Sequence, residues 1–413
     1  MRRILFLLCL LFPLLANAGS QYRLTKIMVT GSRRYSDSDL VRATGLTVNT
    51  QVTLDDLQNA GARMGSSGVF SLVQFIFKPG SANSVEADFT VKDADRFLPA
   101  VFENVVWLTD PELQSALHDA LPLFNGMIPA SGSMPDDVVA ALSKILSAKG
   151  LPSDVSYIPK ADFGKPISSY NYKVNNAGLK IGPVNLIGAS HLGPNALAQS
   201  VASLQGHDYL RSDVEVVLKQ NLLPLYGSYG FLRTTIGEIK PTLNNGVVEI
   251  QATVSEGTQY RLAGYSWSGN TLVSSDELSK RITLKSGEPV NAPKLERELN
   301  AARKLFGKFG HEAALIIQVP TFEGDTVLYR FEVKEGELYR MGKLDVVGPD
   351  PQRQRMLELW KLKEGMAYDN TYFKQMTDQL KGVAGPKSTR WKVIEHLDDT
   401  THVVDVRVEL ETT

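Results

Sequence analysis

A period of 79 residues constrains the fold of this chain more than any other feature of its sequence. Five residues with a side-chain oxygen suited to capping a helix recur at intervals of 80, 79, 79 and 79 residues: Thr53, Ser133, Ser212, Asn291 and Asn370. Such a residue accepts hydrogen bonds from the free amides of a first helical turn. Apolar residues follow each of them at spacings of three and four, which predicts an amphipathic helix. The sequence therefore predicts a repeat protein.

Glycines and strand patterns keep the same period. A strand-like run ends near Thr109 in the second unit and at a glycine in the other four, namely Gly31, Gly188, Gly269 (followed by Asn270) and Gly348. A short helix, the capped helix and two alternating strand patterns follow in each unit. We therefore expect an α+β fold of five tandem β-α-α-β-β domains, each a three-stranded mixed sheet covered by two helices, in an elongated array. The expected domains are residues 21–95, 99–178, 179–258, 259–337 and 338–413.

The first eighteen residues have the pattern of a secretory signal peptide. Arg2 and Arg3 precede an apolar run at residues 4–15, and Ala16-Asn17-Ala18 forms a small-residue cleavage site. A membrane anchor would need about 17–25 apolar residues. We expect cleavage after Ala18, and the only cysteine, Cys9, would leave with the peptide. The exported chain would then contain no disulfide, no cysteine-ligated metal and no cysteine nucleophile.

The charge balance argues against nucleic acid as a partner. Lys plus Arg number 44 against 45 Asp plus Glu, so no basic excess exists to neutralise phosphates. Removal of residues 1–18 would leave 395 residues with 42 basic and 45 acidic side chains.

The repeated pattern resembles POTRA domains, the polypeptide-transport-associated modules of outer-membrane assembly proteins of the BamA/Omp85 type. The resemblance rests on the β-α-α-β-β order, on Trp267-Ser268-Gly269-Asn270, on residues 226–231 and on the Val-x-Glu-Gly endings at residues 254–257 and 333–336. It covers essentially the whole mature chain and is weakest in the second unit. No single motif is specific to the family, but the recurrence of the set is.

The resemblance implies a non-enzymatic periplasmic array at the inner face of the outer membrane. Its expected partners are an outer-membrane barrel protein and unfolded outer-membrane clients, or other envelope proteins, with membrane association only through those partners. Omp85-type proteins continue into a C-terminal barrel, whereas here we expect the fifth unit to extend to Thr413. A separate barrel partner, or a structural scaffold that handles no clients, is therefore an alternative.

The resemblance also places the penultimate strand of each unit at a sheet edge, where an extended client can add itself as a further strand. The corresponding segments are residues 72–77, 233–239 and 313–319. For any one of them, the alternative is an ordinary edge covered by the next unit. The residues expected to contact a partner are Leu72, Phe75, Phe77, Arg233, Thr235, Ile239, Ala313, Leu315, Ile316, Ile317 and Val319.

Catalytic, cofactor and metal sites are not predicted. The six histidines are scattered, and no two share a metal-ligand spacing on one predicted helix. Ser190-His191 and His207-Asp208 could be parts of a hydrolase, but no nucleophile elbow accompanies them. An exported hydrolase therefore stays as the least favoured alternative. The histidines are His118, His191, His207, His311, His396 and His402.

Overall fold

The repeated sequence pattern folds into five small sheets, each with helices between its first and penultimate strands. The computed structural model describes residues 21–161, 163–381 and 390–411, so the signal peptide predicted for residues 1–18 lies outside the described residues. We number five modules in chain order and define each by its elements. The chain divides into two compact units: one contains the first and second modules, the other the fourth and fifth, and the third module's residues are divided between the two.

The first two modules have the same order of elements. Module 1 contains β1 (Tyr22–Thr30), α1 (Asp37–Ala43), β2 (Gln51–Val52), α2 (Leu54–Ser66), β3 (Phe70–Pro79) and β4 (Ser84–Asp93). Module 2 contains β5 (Phe97–Phe102), α3 (Asp110–Ala120), β6 (Met127–Pro129), α4 (Met134–Ala148), β7 (Val155–Lys160) and β8 (Ser169–Val174).

The third module divides its second helical region into several pieces. It contains β9 (Lys180–Ile187), α5 (Pro194–Val201), α6 (Arg211–Val217), α7 (Leu223–Ser228), β10 (Thr235–Asn244) and β11 (Val247–Ser255). A 3-10 turn follows α5, and a π-helical turn at residues 218–222 separates α6 from α7. Pro224 lies in the first turn of α7. Because proline lacks an N–H and clashes with the preceding turn of a regular helix, we attribute the wide turn before it to this residue.

The last two modules repeat the pattern with small differences. Module 4 has a short first helix of five residues and a 3-10 turn after its second helix, and module 5 has a first helix of ten residues. Module 4 contains β12 (Arg261–Ser268), α8 (Ser275–Ser279), α9 (Ala292–Arg303), a 3-10 turn (Phe306–Phe309), β13 (Leu315–Glu323) and β14 (Thr326–Lys334). Module 5 contains β15 (Arg340–Val347), α10 (Asp350–Leu359), α11 (Tyr372–Lys381), β16 (Arg390–Asp398) and β17 (Val403–Glu411).

All five sheets have the same strand order. The last strand of each module lies in the centre, between the first strand and the penultimate strand. The first and last strands run parallel in modules 1, 2, 4 and 5, and the penultimate and last strands run antiparallel there. The parallel ladder has an irregularity directly after Leu24, Leu262 and Met341, which occupy the same place in their modules. The 79-residue period therefore extends to the register of the sheets.

The first two sheets have four strands where the sequence predicts three. β2 and β6, which lie between the two helices of their modules, pair antiparallel with the first strand. In modules 3, 4 and 5 the same place carries only an isolated bridge, such as Arg261 to Pro289.

The hydrophobic cores are not equivalent in the two units. Residues of modules 1 and 2 form one continuous core, which joins Phe89 and Met64 to Phe124 and Tyr172. Modules 4 and 5 have separate cores, and that of module 5 includes Met356 and Val406. The sequence predicts five equivalent domains, each with its own core. The shared core of modules 1 and 2 therefore corrects this expectation.

Candidate partner-binding edge strands

The penultimate strand of every module lies at a sheet edge. β3, β7, β10, β13 and β16 each pair with the central strand on one side, and on the other side no strand of the described residues pairs with them. An unpaired edge presents backbone N–H and C=O groups at regular spacing. Its chemistry is therefore that of a hydrogen-bonding template for another extended chain.

β3 combines an open edge with apolar side chains in both of its rows. Phe75 and Phe77 are half-buried on the helix side, and their ring centroids lie 5.1 Å apart. Phe75 also packs against the central-strand residue Phe89 at 5.9 Å. On the outer face, Leu72 is 37% exposed and Ile76 59% exposed. An added strand could cover apolar surface on either face.

β13 carries its exposed apolar residues on the outer face only. Leu315 is 54% exposed and Ile317 37% exposed, and Val319 lies in the same outer row. Ile316 points the other way and packs against the core of module 4. The strand begins at Leu315, so Ala313 lies in the preceding turn rather than in the edge strand expected from the sequence.

β10 begins later than the sequence predicts. It covers Thr235–Asn244 and so includes Thr235 and Ile239, whereas Arg233 precedes it. The guanidinium of Arg233 lies over the ring of Phe322, 4.0 Å from its centroid, and 5.9 Å from the centroid of Tyr260. Arg233 therefore contacts module 4 through cation–π interactions instead of lining an edge.

The five predicted cap residues take different places. Thr53 and Asn291 are N-caps, and their side chains accept hydrogen bonds from the amides of Asp56 and Lys294. Ser133 precedes α4 without a side-chain cap bond, and its hydroxyl donates to Asp137.

Ser212 and Asn370 are not N-caps. Ser212 lies inside α6, and its amide donates to the carboxylate of Glu103 at 2.9 Å, so a residue of module 2 satisfies this first-turn N–H. Asn370 lies before α11, and its side-chain amide donates to Glu312 of module 4 at 3.2 Å. Both residues contact a neighbouring module, which sequence periodicity alone could not show.

The repeated glycine after the first strand has a structural reason. A Cβ atom at Gly31, Gly188 or Gly269 would lie 2.1–2.5 Å from the carbonyl oxygen of a valine near the end of the last strand. These glycines also have positive φ angles, as does Gly348. Asn270, which follows Gly269, donates from its side chain to the carbonyl of Val273 and so closes the turn into α8.

Acidic residues at the end of the last strand anchor the loop that follows the first strand. Glu335 accepts hydrogen bonds from the amides of Thr271 and Leu272 and from the Thr271 hydroxyl. Asp93 accepts likewise from the Ser32 hydroxyl and the Arg33 amide. The sequence marks Glu335 through its Val-x-Glu-Gly ending but not Asp93, and it does not show which loop either acid binds.

Glu256 is the most highly coordinated of these anchors. Its carboxylate accepts from the amides of Ser190 and His191, from the Ser190 hydroxyl and from the Tyr226 hydroxyl, and its Oε2 lies 2.5 Å from the His191 Nδ1. Burial acts to raise the pKa of Glu256, but the hydrogen bonds from His191, Ser190 and Tyr226 outweigh it and hold this pKa well below its usual range. The group is therefore an ionised structural anchor.

The Ser190, His191 and Glu256 cluster does not have the geometry of a hydrolytic triad. In a triad the imidazole uses one ring nitrogen for the serine and the other for the acid. Here the His191 Nδ1 faces both Ser190 and Glu256, and the Ser190 hydroxyl donates directly to Glu256 at 2.7 Å. The other candidate pair, His207 and Asp208, also lacks triad geometry, because the Asp208 carboxylate forms an ion pair with Lys180 at 2.9 Å.

The described ranges contain neither a candidate metal cluster nor a membrane-spanning helix. Residues 21–161, 163–381 and 390–411 contain no group of three His, Cys, Asp or Glu side chains placed to hold a metal ion. Within the same ranges, no helix has both the length and the apolar character needed to cross a bilayer.

Several solved structures, one of them of POTRA domains, align with parts of this chain. POTRA domains 3–5 of BamA from Haemophilus influenzae share 19% identity over 56% of this chain and 96% of theirs, with a TM-score of 0.41. The N-terminal domain of Omp85 from Thermosynechococcus elongatus shares 11% over 76% of this chain and 98% of its own, with a TM-score of 0.19. CdiB from Escherichia coli shares 14% over 55% of this chain and 37% of its own, with a TM-score of 0.24.

The fold class follows from the modules themselves. No protein-family model matches the sequence, and every TM-score above is below 0.5. We therefore assign the POTRA-type fold from the strand order, the parallel and antiparallel pairings and the two intervening helical segments. The protein is a tandem array of five α+β modules of this type.

Proposed function

We propose that this chain is a non-enzymatic periplasmic protein-binding array that acts in outer-membrane protein assembly or transport. It engages unfolded outer-membrane clients or an Omp85-type barrel partner by accepting their strands at its sheet edges. The observation that carries the proposal is the repeated edge, since five sheets of identical strand order each leave the penultimate strand unpaired on one side within the described residues. Backbone pairing needs little side-chain specificity, which suits a holder of many different extended segments.

The location and the domain bounds belong to the same proposal. We place the array in the periplasm at the inner face of the outer membrane, after cleavage of a signal peptide at residues 1–18. The five domains span residues 21–95, 99–178, 179–258, 259–337 and 338–413. These bounds enclose every strand except the start of β5, whose Phe97 and Leu98 precede residue 99 and pair with β6. They leave connections of a few residues, such as the one from Ser255 at the end of β11 to Arg261 at the start of β12.

Site-specific photo-crosslinking tests the proposal. A photo-reactive amino acid replaces one exposed outer-row residue on each of four edges, namely Ile76, Ile158, Leu315 and Ile394. We expect crosslinks to newly exported outer-membrane proteins or to a barrel protein from at least one of these edges, and we expect none from a matched exposed position off the edges, such as Tyr229. Recovery of only fixed envelope neighbours would favour a structural scaffold without client handling.

A further inference from the structure

The five penultimate-strand edges are not equally able to accept a strand, because four of them carry a residue that opposes strand addition. Proline has no N–H to donate and is therefore found at edges, with its missing donor facing outward. Three edge strands have an internal proline: Pro159 in β7, Pro241 in β10 and Pro320 in β13. Pro159 pairs with Tyr170 and Pro320 with Tyr329, which occupy equivalent places in their central strands.

The fourth blocked edge uses charge. β16 contains no proline, but its Glu395 pairs with the buried Val406 and therefore points to the helix side of the sheet. There it accepts a hydrogen bond from the Tyr368 hydroxyl. An inward-pointing charge at an edge is a recognised device against strand addition, since a new neighbour would bury it.

β3 lacks both devices along its length. Its only proline, Pro79, is the last residue of the strand, and the residues between Leu72 and Phe77 include neither a proline nor a charge. Val73, Phe75 and Phe77 pair with the buried Val91, Phe89 and Ala87, so one continuous apolar row faces the helix side. Because Phe75 and Phe77 stay half-buried, that row has apolar surface left to cover.

We propose that, among the five penultimate-strand edges, β3 of module 1 is the one that accepts client strands, and that the other four are closed to them. This inference rests on the proposed function and narrows it to one site. The occupant is an amphipathic strand of an unfolded outer-membrane protein. Its apolar row covers Phe75 and Phe77, and its other row alternates beside Leu72, Gln74 and Ile76. Strands of membrane barrels have such an alternating pattern.

Charge on the outer face further restricts the occupant. Lys92 pairs with Leu72 at one end of the outer row, whereas Lys78 at the other end is already ion-paired with Asp88. An acidic side chain beside Leu72 and Lys92 is therefore favoured over a basic one at that end of the added strand.

The experiment uses the purified chain and a synthetic ten-residue peptide with Val and Phe alternating with Thr and with Glu at both ends. The peptide carries a fluorophore for anisotropy and a photo-crosslinking residue. A second peptide of the same sequence is N-methylated at alternate positions, which removes its ladder donors and leaves its side chains. We expect the first peptide to bind with crosslinks on β3, and the methylated one to bind at least about tenfold more weakly.

Two opposite substitutions locate the site. Val73 lies an even number of residues before Pro79 in β3, so its backbone nitrogen faces the same open edge as that of Pro79. Val73→Pro therefore removes a donor that an added strand needs, and binding of the first peptide should weaken about tenfold. Pro320→Val restores a donor to β13 and should create a second site, with crosslinks on β13. The second variant gains binding, so misfolding cannot imitate its effect.

Each outcome bears on a different claim. Crosslinks on β13, β7, β10 or β16 of the unsubstituted chain would overturn the choice of β3 and leave strand addition intact. An unchanged stoichiometry for Pro320→Val would contradict the role of proline in closing edges. Equal binding of the methylated peptide, or crosslinks off every edge, would overturn the proposed function itself.

Discussion

The junction between modules 1 and 2 differs in kind from the junction between modules 4 and 5. The first is apolar and continuous, because the buried residues of both modules belong to one core. The second is polar: Asn370 donates from its backbone to Gly307 and from its side chain to Glu312, and the Tyr339 amide donates to Gly310. Near-identical elements are thus joined in two ways, and the linking residues rather than the repeat decide which.

Close backbone contact reinforces the first junction. The amide of Ser133 donates to the carbonyl of Ser66 at 2.9 Å, and Gly68 lies against Ser131 and Gly132. Arg34 of module 1 lies over the ring of Phe97 at 3.9 Å. We therefore expect modules 1 and 2 to unfold as one cooperative unit and modules 4 and 5 to be separable.

The largest effect should come from a large-to-small substitution at a repeated core position. Leu57 in α2 and Leu295 in α9 each follow their N-cap by four residues, and each is almost fully buried. Leu57→Ala should cost about 2–5 kcal/mol and should lower the unfolding midpoint reported by Trp107 in module 2. Denaturant titration of a variant whose only tryptophan is Trp107 measures this.

Leu295→Ala supplies the matched comparison. It should lower the midpoint reported by Trp267 in module 4 by a similar free energy but leave that reported by Trp360 in module 5 unchanged. If Leu57→Ala left the unfolding midpoint reported by Trp107 unchanged, the shared core would not couple the first two modules.

A smaller effect is expected at the backbone contact between modules 1 and 2. Gly68 and Gly150 both follow the second helix of their module with positive φ. A Cβ atom at Gly68 would lie 1.7 Å from the carbonyl oxygen of Ser131, whereas nothing lies within 4 Å of one at Gly150. Gly68→Ala should therefore cost about 2–4 kcal/mol, and Gly150→Ala only about 1 kcal/mol of left-handed strain. Equal losses in denaturant titrations would mean that the contact at Gly68 relaxes.

Much of the module could be predicted from the sequence because its signals are local. Apolar spacing, capping oxygens and turn glycines act within a few residues. The edge position of the penultimate strand, which the family resemblance implies, was confirmed. The caps at Thr53 and Asn291 are of this local kind.

The remaining features depend on contacts between segments distant in the sequence. Ser212 has the residue type of a cap, but the Glu103 carboxylate, more than a hundred residues earlier, binds its amide. Glu256 has the appearance of an ordinary acid in a strand-end motif until the fold brings Ser190, His191 and Tyr226 to it. The 79-residue period reveals the elements that recur in every module. The shared core and the blocked edges depend on residues that differ between modules, so the period does not reveal them.

The loop anchors of the second unit give a prediction with a pH dependence. Glu256→Gln leaves one acceptor oxygen and turns the other into a donor, which then faces donors from Ser190 and His191. We expect a loss of about 1.5–3 kcal/mol at pH 7. Glu335→Gln should cost less, because fewer groups donate to Glu335.

The sign of the pH effect follows from the lowered pKa of Glu256. A carboxyl with a lowered pKa in the folded state contributes stability above its unfolded pKa, about 4.3 for Glu. That contribution disappears as the pH falls towards the folded-state pKa. Chemical denaturation from pH 7 to pH 3 should therefore show a steeper decline for the unsubstituted chain than for Glu256→Gln. Parallel curves would contradict the anchoring role.

The smallest expected effect lies at the polar junction between modules 4 and 5 and has the opposite sign. Glu312 has one buried oxygen with no hydrogen-bond partner among the described residues, and its other oxygen accepts from Asn370. Burial raises the pKa of Glu312, the Asn370 bond partly opposes this, and the negative charge of Glu395 adds to the rise. Arg303 and Asp369 also act on this carboxyl, in opposite directions. Ionised Glu312 therefore weakens the junction at neutral pH.

Glu312→Gln keeps an acceptor for Asn370 and removes the charge, so it should stabilise the chain by about 0.5–1 kcal/mol at pH 7. Because the folded-state pKa is raised, this gain should shrink as the pH falls and vanish below the unfolded pKa of about 4.3. Denaturant midpoints reported by Trp360 at pH 7 and pH 4 measure it, with Glu337→Gln on the exposed surface as the control. A loss of stability at pH 7 would mean that the charge of Glu312 holds the two modules together. Both junctions would then stabilise the chain, and they would differ only in how much.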